Sequence, residues 1–491
     1  MTNRVIALAA FHITLLITCQ QQGIASERPN VVFILTDNHG AWTLGCYGNK
    51  DIRTPNIDRL ADNGMLFERA MSSNPVCSPT RATYLTGLMP SQHGLHSFLD
   101  NKYMMGPQAY YSLEEFETLP GVLHSEGYVC GLSGKWHLGK NMTPQDGFSY
   151  WATMVRGSTS NMYEDPVILN NKVVKTPKYM TDLWTEHAVQ FIEQNKDSEK
   201  PFFLYLAYNG PYCLGPMLLR ESKNRHAAYY ADKLLPSFPR DTLHPWQYSN
   251  RKYHNNLVSI RRVASEVSAV DDGVGTVMET LQKFGLSENT IVIFAGDQGW
   301  MGGQNGFFGM GDHTRPMGAH DLMMQVPFIV SHPNTIAPGR TDIMVSNTDF
   351  LPSLLDYMGL SHRIPNSKHQ KLSGRSYADL LRGKPIRWET AMYYEMESCR
   401  CVRTEGWKYV ARRSPAGPSE LYDMQADPHE RFNLFGQPQF AATQKQLAKQ
   451  LNLWFDEFAN PEYDIWKGGR SKARRHHAPK GHPDYRPLRQ F

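Results

Sequence analysis

The sequence predicts an α/β fold: a large, mostly parallel or mixed sheet flanked by helices, followed by a smaller C-terminal antiparallel sheet with its own helix. Three observations predict it. Continuous apolar runs such as Asn30-Val-Val-Phe-Ile-Leu-Thr36 and Pro201-Phe-Phe-Leu-Tyr-Leu-Ala-Tyr208 lack the alternation of a half-exposed strand and read as strands buried on both faces. Helical patterns separate these runs, the signature of strand–helix–strand units. Past Gly383 the pattern changes to short strands and turns.

Taken in order, Met1-Thr-Asn-Arg4 is a basic end, and Val5 to Thr18 is an apolar run too short and too close to the terminus to span a membrane. Gly23-Ile24-Ala25 supplies small residues for cleavage, so residues 1–25 read as a signal peptide and the chain as exported, periplasmic or extracellular, with no membrane span. Cys19 offers a lipoprotein anchor as an alternative, although the threonine directly before it argues against one. The main α/β domain is expected over 26–382. Its strand Asn30–Thr36 ends in Asp37-Asn38-His39-Gly40, and Thr54-Pro55 opens a helix that runs through Ala61. A helix from Leu119 to Glu126 leads to a strand over Gly127–Ser133, and an amphipathic helix over Thr181–Gln194 leads to Pro201–Tyr208. Residues 215–256, rich in Pro, Tyr, Arg and His and without periodicity, read as an insertion lying near the site, where long loops usually serve a function. Ile260, Val263, Val267, Val270, Val274, Val277 and Leu281 mark one face of a long helix closed by Gly285. Thr290–Ala295, ending in Gly296-Asp297-Gln298-Gly299, and Val326–Val330 are further strands. Residues 383–469 form the C-terminal α+β unit, with strands at 392–396, 400–403, 407–411 and 420–423 and a helix over 440–458. Residues 470–491 form a basic tail.

With 491 residues and 20% of them charged, the chain can bury one large core or two unequal ones, and it is neither a repeat protein, a coiled coil nor a disordered chain. The formal charge of +4 sits in the tail, where seven Lys/Arg face one Asp, leaving −2 for the rest of the chain. No nucleic-acid partner is expected of such a body. Without Cys19 and Cys77, five cysteines remain (Cys46, Cys130, Cys213, Cys399 and Cys401), an odd number that favours isolated buried thiols over a disulfide framework.

The stretch Asn74-Pro-Val-Cys77-Ser-Pro-Thr-Arg81-Ala-Thr-Tyr-Leu-Thr-Gly87 reads as a loop entering a helix, with Pro79 suited to the first turn and Gly87 to the end. Cys77 then lies at the helix mouth, where free N–H groups and the positive dipole end favour an oxyanion, and Arg81 lies one turn on along the same face. Asp37-Asn38 and Asp297-Gln298 each follow a buried strand at its carboxyl end, where open α/β sheets place ligands. If the two strands are neighbours, two carboxylates and two amides form an all-oxygen set suited to Ca²⁺ or Mg²⁺ and not to zinc. Each pair alone also reads as a turn. Lys135 and His137, two apart in Gly134-Lys-Trp-His-Leu-Gly139, point the same way in an extended segment. Asp271-Asp272 on the long helix reads as a capping or packing pair, and Trp42, Trp136 and Trp184 as core or sugar platform alike.

Together these stretches resemble the type I sulfatases of the alkaline phosphatase superfamily, and Glu420-Leu-Tyr-Asp-Met-Gln-Ala-Asp-Pro-His-Glu-Arg-Phe-Asn-Leu434 resembles that family's C-terminal signature. The resemblance implies that Cys77 is oxidised to formylglycine by a formylglycine-generating or sulfatase-maturing enzyme. It implies that Arg81, Lys135 and His137 serve catalysis, and that Asp37, Asn38, Asp297, Gln298 and residue 77 hold a divalent cation, for which calcium is the choice and magnesium the alternative. Lys135 would contact sulfate, and His137 would hydrogen-bond the hydrated aldehyde. Two departures stand out. Tyr212, in Asn209-Gly-Pro-Tyr212, replaces the family's usual histidine, and Met310 stands where a lysine is expected, leaving His313 or Arg315 as substitutes. The expected substrate-binding set is thus Lys135, Tyr212, His313 and Arg315. The implied function is exported hydrolysis of sulfate esters, on a sulfated carbohydrate. Two other readings stay open: a phosphonate monoester or phosphodiester hydrolase on the same scaffold, and a non-catalytic secreted polyanion-binding protein.

Overall fold

The computed structural model describes residues 28–413 and 416–475. The signal segment, Cys19 and the tail from 476 onward lie outside the described residues. In chain order the framework comprises β1 (Asn30–Asp37), α1 (Pro55–Asp62), β2 (Met65–Met71), α2 (Cys77–Thr86), α3 (Leu119–Ser125), β3 (Val129–Gly134), β4 (Phe148–Met154), β5 (Val167–Leu169), β6 (Lys172–Val174), α4 (Met180–Asn195) and β7 (Phe202–Pro211). It continues with α5 (Leu257–Lys283), β8 (Thr290–Gly296), β9 (Phe328–Ser331), β10 (Gly339–Ser346), α6 (Phe350–Tyr357), β11 (Met392–Met396), β12 (Cys399–Arg403), β13 (Trp407–Arg412), β14 (Glu420–Asp423) and α7 (Ala441–Phe458).

Ten strands form one mixed sheet in the order β10-β2-β9-β8-β1-β7-β3-β4-β5-β6. Its centre is parallel: β1 pairs with β7 and β8, and β3 with β7 and β4. Strand β9 runs antiparallel to both its neighbours, and β4-β5-β6 form an antiparallel edge. Every residue of β1, β7 and β8 is buried, as continuous apolar runs require of strands covered on both faces. Their side chains alternate between two cores. Val32, Ile34, Leu204 and Leu206 pack with α1, α4 and α5 on one face, and Val31, Phe33, Leu35, Phe203 and Tyr205 pack with α2, α3 and α6 on the other.

Helix α5 starts where Asn256 caps the N–H groups of Val258 and Ser259, and it buries Val263, Val267, Val270, Val274 and Val277 completely. From its middle, Asp271 accepts the N–H groups of Asn56 and Ile57 at the start of α1, a cap supplied from another element. Asp272 instead pairs with Arg225 and His226. Trp136 and Trp184 are fully buried, while Trp42 stacks on Trp300, so all three serve the core. All six cysteines among the described residues are buried free thiols. No described helix is long and apolar enough to cross a membrane.

Helix α2 begins at Cys77, with Pro79 in its first turn as the sequence suggests. The strands β2, β4, β5, β6 and β10 carry no continuous apolar run to announce them. Met65-Leu-Phe-Glu-Arg-Ala-Met71, for instance, is interrupted by Glu68 and Arg69, and it is held between β9 and β10 by pairing with distant segments.

The four-stranded antiparallel sheet β11-β12-β13-β14, covered by α7, packs against the main domain. Its first strand braces the loop that precedes Cys77. Glu395 N donates to Ser73 O at 2.9 Å, and Asn74 Nδ2 donates to Glu395 O at 2.6 Å.

Candidate active site

Four strand tips meet at one end of the sheet. The chain leaves β1 at Asp37, β3 at Lys135, β7 at Tyr212 and β8 at Asp297, and α2 lies across them with Cys77 in its first turn. Three residues at these tips adopt left-handed backbone: Asn38 (φ 59°), His137 (φ 60°) and Tyr212 (φ 53°). Each such residue costs roughly 1–2 kcal/mol, a strain that accumulates where side chains must be aimed at a site. The left-handed turn at His137 also breaks the simple alternation expected of Lys135 and His137.

The centre is buried and charged. Cys77 Sγ lies 3.2 Å from Asp37 Oδ1, and the Gln298 amide Nε2 donates to the same sulfur at 3.2 Å. Lys135 Nζ bonds Asp37 Oδ2 at 2.5 Å, and Arg81 Nη2 bonds Asp297 Oδ2 at 2.9 Å, with all four side chains at most 1% exposed. Asp297 Oδ1 accepts the backbone N–H groups of Asn38 (2.9 Å) and Gln298 (2.8 Å). The Lys135 ammonium lies 5.5 Å from the Tyr212 ring centroid, a cation–π contact.

Helix α2 acts as the jig. Arg81 Nη1 donates to Lys135 O at 2.8 Å, Tyr84 OH donates to Gly296 O at 3.1 Å, and Ser78 Oγ donates to His137 O at 3.0 Å. One helix thus holds the tips of β3 and β8 by side chains on successive turns. Tyr84 and Ser78 escaped the sequence reading. Tyr84 stands seven residues after Cys77, two turns along the same face, a spacing that would have found it.

Burial, and then the Asp37 carboxylate, holds the Cys77 thiol well above the usual thiol range, although a helix mouth by itself favours a thiolate. Burial works against the Lys135 ammonium, but Asp37 outweighs it and keeps its pKa above the ordinary lysine value. Burial, with Asp37 beside it, pushes the Asp297 carboxyl up to about 7. Burial holds His137 neutral, aided by the charges of Lys135 and Arg81. Its Nε2 faces Leu99 O at 3.2 Å, and its Nδ1 is buried without a partner.

One ligand atom each from Asp37, Cys77 and Asp297 lies within 4.8 Å of the others, which makes them a group able to hold a metal ion. The neighbouring Gln298 Oε1 is buried and has no donor, while Gln298 Nε2 contacts Asn38 Oδ1 at 2.5 Å. An orphaned amide oxygen beside two carboxylates and a second amide oxygen fits a hard divalent cation.

Met310 Sδ lies 3.2 Å from Gln298 Nε2, so a thioether borders the centre. The two side chains expected in its stead are engaged within their own loop. His313 Nδ1 accepts from Met310 N at 3.2 Å, and the Arg315 guanidinium donates to the carbonyls of Asp312 and Thr314 and lies over the Tyr248 ring. Neither makes a hydrogen bond to the Asp37–Cys77–Asp297 cluster.

The family model described as Sulfatase matches residues 29–360, and the model described as N-sulphoglucosamine sulphohydrolase, C-terminal, matches 310–456. The chain is 27% identical to an N-acetylglucosamine-6-O-sulfatase of Bacteroides thetaiotaomicron, with 91% of this chain and 90% of that protein covered. It is also 27% identical to an ulvan-active sulfatase of Formosa agariphila, with 92% and 86% covered. Its fold matches a solved structure in complex with D-glucosamine-2-N,6-O-disulfate, at TM-score 0.68 and 24% identity, covering 88% of this chain and 98% of the other. The chain therefore belongs to the sulfatase family of the alkaline phosphatase superfamily and is a sulfuric ester hydrolase.

Proposed function

We propose that this protein is an exported sulfatase that removes sulfate from a sulfated carbohydrate, using a formylglycine made from Cys77 by a maturing enzyme and a divalent cation, calcium first and magnesium second. The observation that carries the reading is the convergence of Asp37, Cys77 and Asp297 within 4.8 Å, with Lys135 and Arg81 bonded to the two carboxylates. Relatives that act on sulfated sugars support the substrate class, and the signal-like segment 1–25 supports export.

Asp37, Asn38, Asp297, Gln298 and residue 77 would hold the cation, which supplies Lewis-acid charge to a sulfate oxygen. The hydrated aldehyde supplies an oxygen nucleophile, where the buried, neutral Cys77 thiol supplies none. The chain's own groups do the rest. Arg81 and Lys135 pair with the two carboxylates and place two fixed positive charges beside the ester, preorganised for the charge that grows on sulfate oxygens. Neutral His137, with Nε2–H directed at the Leu99 carbonyl, leaves Nδ1 as a hydrogen-bond acceptor for the hydrated aldehyde. Tyr212, whose ring lies 5.5 Å from the Lys135 ammonium, would offer its hydroxyl to the substrate.

Two measurements test the proposal. The mass of the peptide carrying residue 77 shows the loss that converts thiol to aldehyde, and matched sulfate and phosphate esters of one phenol show sulfate turned over preferentially. An unmodified Cys77 in a fully active enzyme overturns the nucleophile, and a preference for the phosphate ester overturns the reaction class.

A further inference from the structure

A cavity of about 640 Å³ lies between the 215–256 insertion, the connection from β8 to β9 and the C-terminal sheet. The first two segments leave the carboxyl ends of β7 and β8, so the cavity stands at the same end of the sheet as the Cys77 cluster. Its wall is preformed. Gly306, at φ 74°, comes so close to the insertion that a Cβ there would lie 1.9 Å from Thr242 O, and His244 N donates to Gly306 O at 3.0 Å. Asn305 N donates to Asp241 Oδ2 at 2.9 Å.

One side of the cavity is aromatic. The His244 ring lies 4.2 Å from that of Phe307 and 5.4 Å from that of Trp246. The buried carboxylates in the wall are already answered, Glu420 by Arg412 and Glu430 by Lys408. The donors are not. His244 Nδ1 accepts from Trp246 N, which leaves its Nε2–H directed elsewhere, and the Trp246 indole N–H and the exposed Arg431 guanidinium have no hydrogen-bond partner among the described residues.

An aromatic face beside convergent polar groups suits a pyranose, and a free guanidinium suits a sulfate, which it binds through two parallel N–H donors. We propose that this cavity is a second carbohydrate-binding site, seating another sulfated sugar of the same polymer chain, with its ring on Trp246 and His244, its sulfate on Arg431 and a hydroxyl on Asp241. The proposal rests on the sulfated-carbohydrate reading above and deepens it.

The test uses the full mature enzyme and the variants Arg431→Ala, Trp246→Ala and Trp246→Phe, each checked for an unchanged melting temperature. Retardation is measured in gels cast with heparin, chondroitin sulfate, carrageenan or ulvan, and kinetics are measured on a phenyl sulfate. At least one polymer should retard the wild type, Arg431→Ala and Trp246→Ala should weaken that retardation about tenfold, and Trp246→Phe should largely restore it. The phenyl sulfate kcat and KM should stay within twofold in every variant. No retardation by any of the four polymers, or retardation unchanged in both alanine variants, overturns the proposal. A wild type that is retarded but does not hydrolyse the phenyl sulfate overturns the catalytic reading instead.

Discussion

Arg81→Lys preserves charge and tests whether the guanidinium fork is needed. Arg81 is fully buried and makes two bonds in different directions, Nη1 to Lys135 O at 2.8 Å and Nη2 to Asp297 Oδ2 at 2.9 Å. A lysine ammonium can follow Asp297 or the carbonyl, but its single nitrogen cannot span both. If it stays with Asp297, the Lys135 carbonyl loses its donor in a buried site, at about 1–3 kcal/mol. If it follows the carbonyl, the Asp297 carboxylate is left uncompensated, at about 3–5 kcal/mol. The first is the smaller cost, so the expected stability loss is about 1–3 kcal/mol, with Arg81→Ala losing about 3–5 kcal/mol. Because Lys135 is released from its anchor, kcat/KM on a phenyl sulfate should also fall, by about 10²–10³, the size of losing one preorganised donor. Urea melts give the first number. Steady-state kinetics, normalised to the fraction of modified residue 77 found by peptide mass, give the second. A lysine variant within 0.5 kcal/mol of wild type and within threefold in normalised kcat/KM, where these thresholds are about the error of each assay, would refute the argument that α2 positions the strand tips.

Other expectations follow from the same contacts. His96 is fully buried, and burial lowers its pKa from the ordinary 6.5 to about 4, so the unfolded chain takes up a proton before the native one does. Its contribution is complete above pH 6.5 and is lost as pH falls towards 4, by about 1.4 kcal/mol per unit, and His96→Asn should flatten that part of a denaturation-versus-pH curve. Arg400 Nη2 bridges Glu395 and Asp464 at 2.7 Å each, all nearly buried, so Arg400→Ala should cost about 3–5 kcal/mol in urea melts, and a loss below about 1 kcal/mol would show the bridge to be idle. Chelation should abolish turnover of a phenyl sulfate, with calcium restoring it. Calcium at a hundred times its Kd should add about 2.7 kcal/mol to thermal stability, whereas an unmoved melting curve would count against a cation held by Asp37 and Asp297.

Much of this protein was legible in its sequence because the central strands are buried on both faces. Such strands must be apolar along their whole length, so β1, β7 and β8 stand out, and whatever polar residue ends each one stands out too. The periodicity of α5 was equally plain. The helix carrying Cys77 was marked by its end at Gly87, which takes the left-handed conformation at φ 72°. Edge strands were not legible: β5 and β6 are three residues each, and β2 and β10 alternate too irregularly to be told from loops. The tertiary structure alone decided how the ends meet. Residues 37, 135, 212 and 297 become neighbours because the order β8-β1-β7-β3 is parallel throughout and brings four carboxyl ends together, and pairing order is a property of long-range hydrogen bonding that local pattern does not carry. It also decided the electrostatics, since the completeness of burial keeps the Cys77 thiol protonated and His137 neutral, and burial is set by what other segments of the chain lay over a residue.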